Sequence, residues 1–263
     1  LYEAPGPRAR RRIAIGTAAS AVLLVLLVLL VVRQFYVTGQ LASRYWSFLL
    51  EWTTWRFLLQ GLMGTVQVAL TAGVIALVLG LLLMLGRVSG IAPLSAACRV
   101  VTDFFRGVPS LLLIYFFFLV VPQYGVQMPS FWMLTLPVAL AASGVLAEVF
   151  RAGVNAVPRG QVEAALSIGL SPAKTMRRIV LPQAVRYVIP SLIAQLVVVV
   201  KDTTVAYVVS YPDLMQNARV LITNYDALLS MYLVVAVIYV LINFAINKAS
   251  VYVARRTGVK IIR

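Results

Sequence analysis

The amino-acid sequence predicts an all-α integral membrane protein with six transmembrane helices. Hydrophobic residues make up 62% of the 263 positions, and the mean hydropathy of +0.94 lies outside the range of soluble domains. The apolar residues form long runs without charge, and the 23 lysines and arginines collect mostly at the ends of those runs. A net charge of +15 distributed in this way indicates the flanks of membrane helices rather than a surface that binds nucleic acid.

Two features of the composition exclude most catalytic and metal sites. The chain has no histidine, which removes Ser-His-Asp and Cys-His catalysis together with the commonest metal ligand. Cys98 is the single cysteine, so an internal disulfide and a cysteine-based metal cluster are excluded. We therefore expect no catalytic residue and no metal site, and a membrane-embedded enzyme is a weak interpretation.

The first helix is predicted at Ile13 to Val32, a run of 20 residues without charge that is long enough to span a bilayer. Basic residues precede it: Arg8, Arg10, Arg11 and Arg12. A signal peptide has the same outline, but its apolar core is shorter, and the residues from Phe35 to Thr38 form no small-residue cleavage site. We interpret the run as a retained helix.

Residues 34–56 mix aromatic with charged side chains, which predicts an interfacial segment with its rings at headgroup depth. The rings are those of Tyr45, Trp46, Trp52 and Trp55. The next span is predicted within Phe57 to Gly86, 30 residues without charge. Its small and hydroxyl residues are expected to allow close helix contact: Gly61, Gly64, Thr65, Thr71, Gly73 and Gly80.

The 41 uncharged residues from Gly107 to Ala147 are enough for two passes. Pro122, Gly125 and Pro129 mark the turn between them. We expect the first pass to begin before Arg99, and the second to run over residues 130–150.

The last two spans are predicted on either side of a polar connection at residues 211–226. One comprises residues 187–210, interrupted by the polar stretch 201–204, and the other comprises residues 227–247. With both termini cytoplasmic, 17 of the 23 basic residues fall inside. Four fall outside and two within the membrane region: Arg33, Arg44, Arg56 and Arg219, then Arg106 and Lys201.

This orientation places residues 161–182 in the cytoplasm, where the sequence predicts two short helices with a turn between them. Residues 161–168 are alanine-rich and favour a helix, and Gly169 suits the left-handed position that ends it. Ser171 is a natural N-cap and Pro172 fits the first position of the next helix. Small side chains at Ala164, Ala165 and Gly169 would let another protein approach closely.

The spacing of this stretch is Glu-Ala-Ala, three residues, Gly, nine residues, and Ile-Val-Leu-Pro. It resembles the EAA loop of the membrane subunits of bacterial ABC importers, a coupling helix that docks into a groove on the ATPase. The resemblance implies ATPase-coupling roles for Glu163, Ala164, Ala165, Gly169, Ser171, Pro172, Leu181 and Pro182. The alternative is an amphipathic cytoplasmic loop with a capping pattern.

Further motifs are similar to those of the polar amino-acid permeases within these importers, the histidine, glutamine and glutamate type. They are Glu148-Val-Phe-Arg, Pro158-Arg-Gly-Gln, Leu181-Pro-Gln-Ala, Lys201-Asp-Thr-Thr and Arg106-Gly-Val-Pro, the last two with one residue differing from the family's usual Lys-Asp-Thr-Ser and Arg-Gly-Thr-Pro. The likeness runs from about Gln60 to Arg256. It implies a five-helix type I importer core at 57–256, preceded by an additional helix in 1–56 and followed by a cytoplasmic tail at 257–263.

The resemblance also implies the remaining parts of the transporter. A second permease subunit, identical or homologous, would complete the pathway, and an extracytoplasmic binding protein would deliver the amino acid. A pair of ATPase subunits would bind ATP and Mg, since the stretch Gly169 to Thr175 only superficially resembles a phosphate loop and follows no strand. We expect no cofactor in this chain, membrane lipid around it, no nucleic-acid partner, and a bacterial plasma membrane location.

Ionisable residues within membrane segments are costly and therefore candidates for function. These are Arg106, Glu148, Lys201 and Asp202, with Thr203 beside them. By resemblance, Arg106 would face the carboxylate of the substrate, and Glu148 an ammonium or a cationic side chain. The alternative, favoured for Lys201 and Asp202, is that the charges pair with each other.

Other transporter classes remain as alternatives. An ion-gradient-driven secondary amino-acid transporter would explain charges in the membrane, but it predicts paired interrupted helices in two halves, and no such repeat is visible. A permease for methionine, an oxyanion or another small solute would share the EAA spacing. The motifs at residues 158–161 and 201–204 argue against it.

Overall fold

The computed structural model describes residues 6–256, so the predicted tail at 257–263 lies outside the described residues. The described part consists of helices and their connections, without a strand. The helices are α1 (Pro7–Val37), α2 (Trp52–Arg87), α3 (Ala92–Gly107), α4 (Ser110–Tyr115), α5 (Ser130–Ala156), α6 (Arg159–Ser167), α7 (Pro172–Thr175), α8 (Leu181–Asp202), α9 (Leu214–Tyr225) and α10 (Leu228–Arg256). Five helical stretches of the described part are long and apolar enough to cross a membrane, and the bent pair that begins with α3 makes a sixth. The predicted all-α membrane fold is confirmed.

Helix α5 forms the centre of the bundle and packs against α2, α3, α4 and α8. In its most apolar stretch of 18 residues, 67% of the positions are buried. Small residues allow the close approach: a Cβ on Gly80 of α2 would lie 2.8 Å from the Cβ of Leu146, and one on Gly153 would lie 2.6 Å from Cγ1 of Val188.

Helix α1 contains the first predicted span and contributes nothing to this core. None of its residues is buried. Its leucines and valines from Val22 to Val32 are all about half exposed or more. Within the described part, α1 therefore presents its apolar surface to the surroundings on all sides.

Helix α2 packs at its first turns on the start of α9. A Cβ on Gly61 would lie 2.7 Å from the backbone oxygen of Asp213, and Gly64 lies equally tightly against Pro212. The hydroxyl of Thr65 accepts a hydrogen bond of 3.1 Å from the backbone N–H of Leu214. The predicted close contacts are thus present at Gly61, Gly64 and Gly80.

The third span begins before Arg99, as predicted, since α3 starts at Ala92. It is bent, which was not predicted, because α3 and the helical segment Ser110–Tyr124 meet at an angle of 98°. The cause is Pro109, whose ring disfavours the helical conformation of the preceding residue. Val108 is accordingly extended, with φ −87° and ψ 125°.

The segment at residues 34–56 is not purely interfacial. Trp52 is 71% exposed, as expected for a headgroup-level ring, but Tyr45 and Phe48 are buried. The ring of Phe48 stacks on Tyr225 with centroids 4.6 Å apart, and the Ser230 hydroxyl donates to the Tyr45 carbonyl. This segment therefore forms part of a second core with α9 and α10.

Candidate functional site

Helix α6, the turn at Gly169 and α7 form the predicted coupling segment. Gly169 has φ +82°, the left-handed conformation that ends a helix and that glycine adopts without strain. Ser171 precedes α7 with extended backbone and Pro172 is its first residue, as predicted, although the Ser171 side chain makes no capping hydrogen bond.

The sequence predicted a separate short second helix in this segment, and this prediction is wrong. Helix α7 continues through a π-helical turn, Met176–Val180, directly into α8, so that Pro172–Val209 forms one span. Pro182 lies within this span rather than ending a helix. A π turn shifts the backbone hydrogen bonds by one residue, which lets the chain accommodate a proline that cannot donate one. The turn at Gly169 is therefore joined to a membrane helix without a loop between them.

The coupling segment buries one face against its own chain and exposes the other. Val162 packs with Met176 and Val180, and Ala165 is buried within the chain. Glu163 and Ala164 are exposed. Of the residues predicted to meet an ATPase, Ala165 therefore has its side chain turned inward.

The exposed part of the segment includes two large apolar side chains that the motif comparison did not single out. Leu166 is 44% exposed and Ile168 is 79% exposed. Apolar side chains beside small residues on a polar protein surface are typical of a docking site. Their exposure follows from the helical register relative to the buried Ala165, which the sequence pattern contains but the family motif does not emphasise.

A second group of candidate residues meets at the ends of α2, α3 and α5. Glu148 of α5 pairs with three arginines. Its Oε1 accepts a hydrogen bond from Arg87 of α2 and lies 3.3 Å from Nη1 of Arg106 of α3, and its Oε2 accepts one from Arg151 at 2.8 Å. The side chain of Glu148 is 19% exposed, and that of Arg106 is 46% exposed. We call these four residues the charged junction.

The charged junction carries more positive than negative charge. Asp103 of α3 lies 3.9 Å from Arg106 and 3.8 Å from Arg99, so the wider cluster has four arginines and two carboxylates. Arg151 could have been anticipated from its position three residues after Glu148 on one helix. Arg87 could not, because 61 residues separate it from Glu148 along the chain.

Residues 201–203 lie at the end of α8, beside the bend between α3 and α4. Asp202 lies against the side chain of Ser110, the first residue of α4. Lys201 is exposed and forms no ion pair with Asp202, contrary to the pairing that the sequence favoured. Thr203 is buried, and its hydroxyl donates to the Val200 carbonyl at 2.8 Å.

Two of the candidate residues lie on either side of the bend between α3 and α4. Arg106 comes directly before the bend at residues 107–109, and Asp202 lies against Ser110, which comes directly after it. A Cβ on Gly144 of α5 would lie 2.9 Å from the backbone nitrogen of Arg106, which shows how closely α3 approaches α5 there. In the described part, no three histidine, cysteine or acidic side chains are grouped in a way that would hold a metal ion.

Residues 76–259 match a family of proteins described as inner membrane components of binding-protein-dependent transport systems. Among curated relatives, the glutamate transport system permease protein GluD of Corynebacterium glutamicum is 32% identical, over 83% of this chain and 81% of GluD. The probable glutamine ABC transporter permease protein GlnP of Bacillus subtilis is 31% identical, over 78% of this chain and 93% of GlnP.

Solved structures agree with these relatives. The crystal structure of an amino acid ABC transporter with histidines superposes with a TM-score of 0.72 at 28% identity, covering 76% of this chain and 94% of that chain. An inward-facing structure of the MetNI methionine ABC transporter superposes with a TM-score of 0.67 at 19% identity, covering 79% and 99% respectively. The second likeness concerns the fold alone.

Proposed function

Since this chain belongs to the family of binding-protein-dependent transport system inner membrane components, we propose that it is the permease subunit of an ABC importer for a polar amino acid. Relatives that cover most of the chain are permeases for glutamate and glutamine, and an arginine permease from Bacillus subtilis is 31% identical over 62% of the chain. Neither the alternative small solutes nor an ion-gradient-driven mechanism is favoured by these relatives.

The proposed partners follow from this role. An ATPase subunit pair would bind ATP and Mg, an extracytoplasmic binding protein would deliver the substrate, and a second permease subunit, identical or homologous, would complete the pathway. Both termini would lie in the cytoplasm, so that α6 and α7 face the ATPase. The observation that carries the proposal is the exposed turn at Gly169, which is connected through α7 to the membrane span ending at Val209.

The exposed face of α6 is the proposed contact with the ATPase. Glu163, Ala164, Leu166 and Ile168 are all open to a partner. Ala165 is buried on the opposite side of α6, where Val162 packs against the apolar cluster that includes Val180 of the π turn. A push on this face would move α8 because the two are linked through α7, and such motion would alternate access to the pathway.

The bend between α3 and α4 is the proposed part of the substrate pathway in this chain. Arg106 is nearly half exposed, so its guanidinium retains room for a substrate carboxylate beside Glu148. Glu148 already forms ion pairs with three arginines, which argues that it positions them rather than receiving an ammonium group. Lys201 and Asp202 would contribute from α8, and Thr203 would support their backbone.

A pair of glycine substitutions tests the coupling role. Gly169→Arg introduces a bulky charge on the cytoplasmic side, and Gly125→Arg is the matched control on the opposite side. Both glycines have nearly equal φ angles, +82° and +80°, and a Cβ on either meets nothing within 4 Å. The backbone strain is therefore the same, and only the location differs.

We expect Gly169→Arg to abolish co-purification of the ATPase and ATP-driven amino-acid uptake in reconstituted vesicles, whereas Gly125→Arg retains both. Glu163→Lys should weaken the same association through charge reversal. Membrane insertion, measured by extraction of the tagged protein, should equal the wild type in all three. Normal ATPase association and uptake by Gly169→Arg would refute the coupling role.

A further inference from the structure

A cavity of about 510 Å³ lies on the face of α9, next to the 3-10 helical segment Thr203–Val209. Its lining is formed by Tyr207, Gln216, Arg219, Val220, Thr223 and Asn224. The lining includes one cation and no carboxylate. In the proposed orientation, this cavity opens on the extracytoplasmic side, opposite the coupling segment.

Helix α9 holds its cavity-facing residues in fixed positions. The Asp213 carboxylate caps the helix by accepting the backbone N–H of Gln216 at 2.7 Å. The Asn217 side chain donates to the Phe57 carbonyl at 2.7 Å, which ties α9 to α2. Leu221 is buried on the same inward face. The residues opposite this face, including Arg219, are therefore presented outward on a rigid support.

Arg219 differs from the arginines of the charged junction because it has no acidic partner. Its guanidinium lies 4.3 Å above the centre of the Tyr207 ring, and it forms no ion pair within the described part of the chain. Stacking on an aromatic ring leaves the edges of a guanidinium free, and those edges match a carboxylate with two parallel hydrogen bonds.

We propose that this cavity is a carboxylate-binding site on the extracytoplasmic surface, with Arg219 as its anchor and the side-chain amides of Gln216 and Asn224 as neutral hydrogen-bond donors. The proposal rests on the proposed function and orientation. The carboxylate belongs either to an acidic side chain of the docked binding protein or to the amino acid that it releases. A cationic ligand would find no opposite charge in the lining.

The test uses the chain reconstituted in liposomes with the ATPase and the binding protein that co-purify with it. Arg219→Gln removes the charge, Arg219→Lys keeps the charge without the planar edge, and Arg44→Gln is the matched control. Arg44 also stacks on a tyrosine, with its guanidinium carbon 4.5 Å from the Tyr45 ring centre, but it does not line the cavity. ATP-driven uptake is measured at increasing concentrations of amino-acid-loaded binding protein.

For Arg219→Gln we expect one of the two uptake parameters to worsen by about 10-fold to 100-fold, the usual effect of losing a charge-assisted hydrogen bond. A rise in the binding-protein concentration at half-maximal uptake identifies an acidic side chain of that protein as the ligand. A fall in maximal uptake at unchanged half-saturation identifies the carboxylate of the amino acid. Arg219→Lys should lose less in either case, and co-purification with the ATPase controls for folding.

The proposal would be overturned if Arg219→Gln had the same maximal uptake and the same half-saturating binding-protein concentration as the wild type. It would also be overturned if Arg44→Gln lost as much uptake as Arg219→Gln. A wild-type chain without ATP-dependent uptake would instead contradict the proposed function.

Discussion

Helices α1 and α5 are both long enough to cross a membrane, yet they have opposite positions in the fold. The most apolar stretch of α1 is more hydrophobic than that of α5, yet no residue of α1 is buried, whereas 67% of the α5 stretch is buried. Helix α5 contains glycine, alanine, serine and proline among its buried residues. The helix with the more hydrophobic stretch is therefore the one outside the core.

The difference follows from the solvent that surrounds the protein. Lipid chains are as apolar as leucine, so burying a leucine between helices gains little over leaving it in lipid. Helix contacts depend on close backbone approach, which small residues permit. Strong hydropathy in α1 accordingly does not place that helix in the core, and a mixture of small and polar residues marks the helix at the centre.

The largest expected effect comes from adding bulk to a glycine of α5. A Cβ on Gly144 would lie within 3.1 Å of backbone and side-chain atoms of α3, whereas one on Gly16 of α1 meets nothing within 4 Å. Gly144→Leu should lower the free energy of unfolding by about 3 kcal/mol or more, because neither helix can move aside without losing the junction. Gly16→Leu should leave it unchanged or slightly raised, since leucine is the better helix former.

Thermal unfolding in detergent, monitored by size-exclusion chromatography, measures the difference in stability between the two glycine variants. Equal melting temperatures for Gly144→Leu and Gly16→Leu would mean that α5 is not the packed centre.

A leucine in each helix gives the next largest contrast. Leu134 of α5 is fully buried, and Leu24 of α1 is 64% exposed. Leu134→Ala should lower the free energy of unfolding by about 2 kcal/mol, the lower end for buried leucines. The variant loses packing and leaves a cavity, but the hydrophobic contribution of burial is small where the alternative surroundings are lipid. Leu24→Ala should cost close to nothing. A chemical-denaturation series in mixed micelles compares them, and an equal cost would show that α1 packs against something in the folded protein.

Removing the carboxylate of the charged junction is expected to have a smaller effect on stability. Glu148→Gln leaves the three junction arginines without their shared negative charge, and we expect the free energy of unfolding to fall by about 1 to 2 kcal/mol, a small loss because the side chains are partly exposed. Glu51→Gln is the control, since that carboxylate is exposed and, within the described residues, is in contact with the Thr53 hydroxyl and with no arginine or lysine. The free energy of unfolding should be lower for Glu148→Gln than for Glu51→Gln. Equal values would mean that the junction positions its charges without stabilising the fold.

The last expected effect is a dependence of stability on pH, and it lies at Asp213, which caps α9 on the other side of the protein. Burial raises the pKa of Asp213 from its ordinary value of 3.8 to about 6. The folded state therefore holds this proton where the unfolded state has lost it, so the stabilisation is complete below about pH 4 and is lost as the pH rises through 6.

Asp213→Asn should remove that pH dependence and raise the free energy of unfolding at pH 7, because asparagine caps helices as well as aspartate does and carries no charge that burial penalises. Melting temperatures of both proteins between pH 4 and pH 8 give the comparison. Parallel curves for wild type and variant would refute the assignment.

Most of the fold was predictable because its signals are local. Charge-free runs located the spans, and the proline and glycine residues at 122–129 located the turn before α5. The bend at Pro109 was not predicted, although the restriction that a proline places on the residue before it was readable at Val108. The burial of Tyr45 and Phe48 was not readable, because it depends on α9 and α10, which lie far along the chain.

The candidate site divides in the same way. The break at Gly169 and the start of α7 at Pro172 follow from side-chain chemistry within a few residues, and they were correctly placed. That α7 continues into α8 depends on the register of the π turn, and the hydrophobic pattern is equally consistent with a break at Pro182. Asp202 lies against Ser110 of α4 and forms no ion pair with Lys201, so this arrangement depends on where α4 packs.

The chain's own composition and order of residues thus determine that this is a multi-span membrane protein and where the turn at Gly169 lies. These properties arise from water-to-lipid transfer and from backbone conformation, which act residue by residue. Which charges meet is a property of packing: Glu148 and Arg87 lie 61 positions apart and become partners because glycines draw α2, α3 and α5 together. The same packing leaves Arg219 stacked on Tyr207 without a carboxylate.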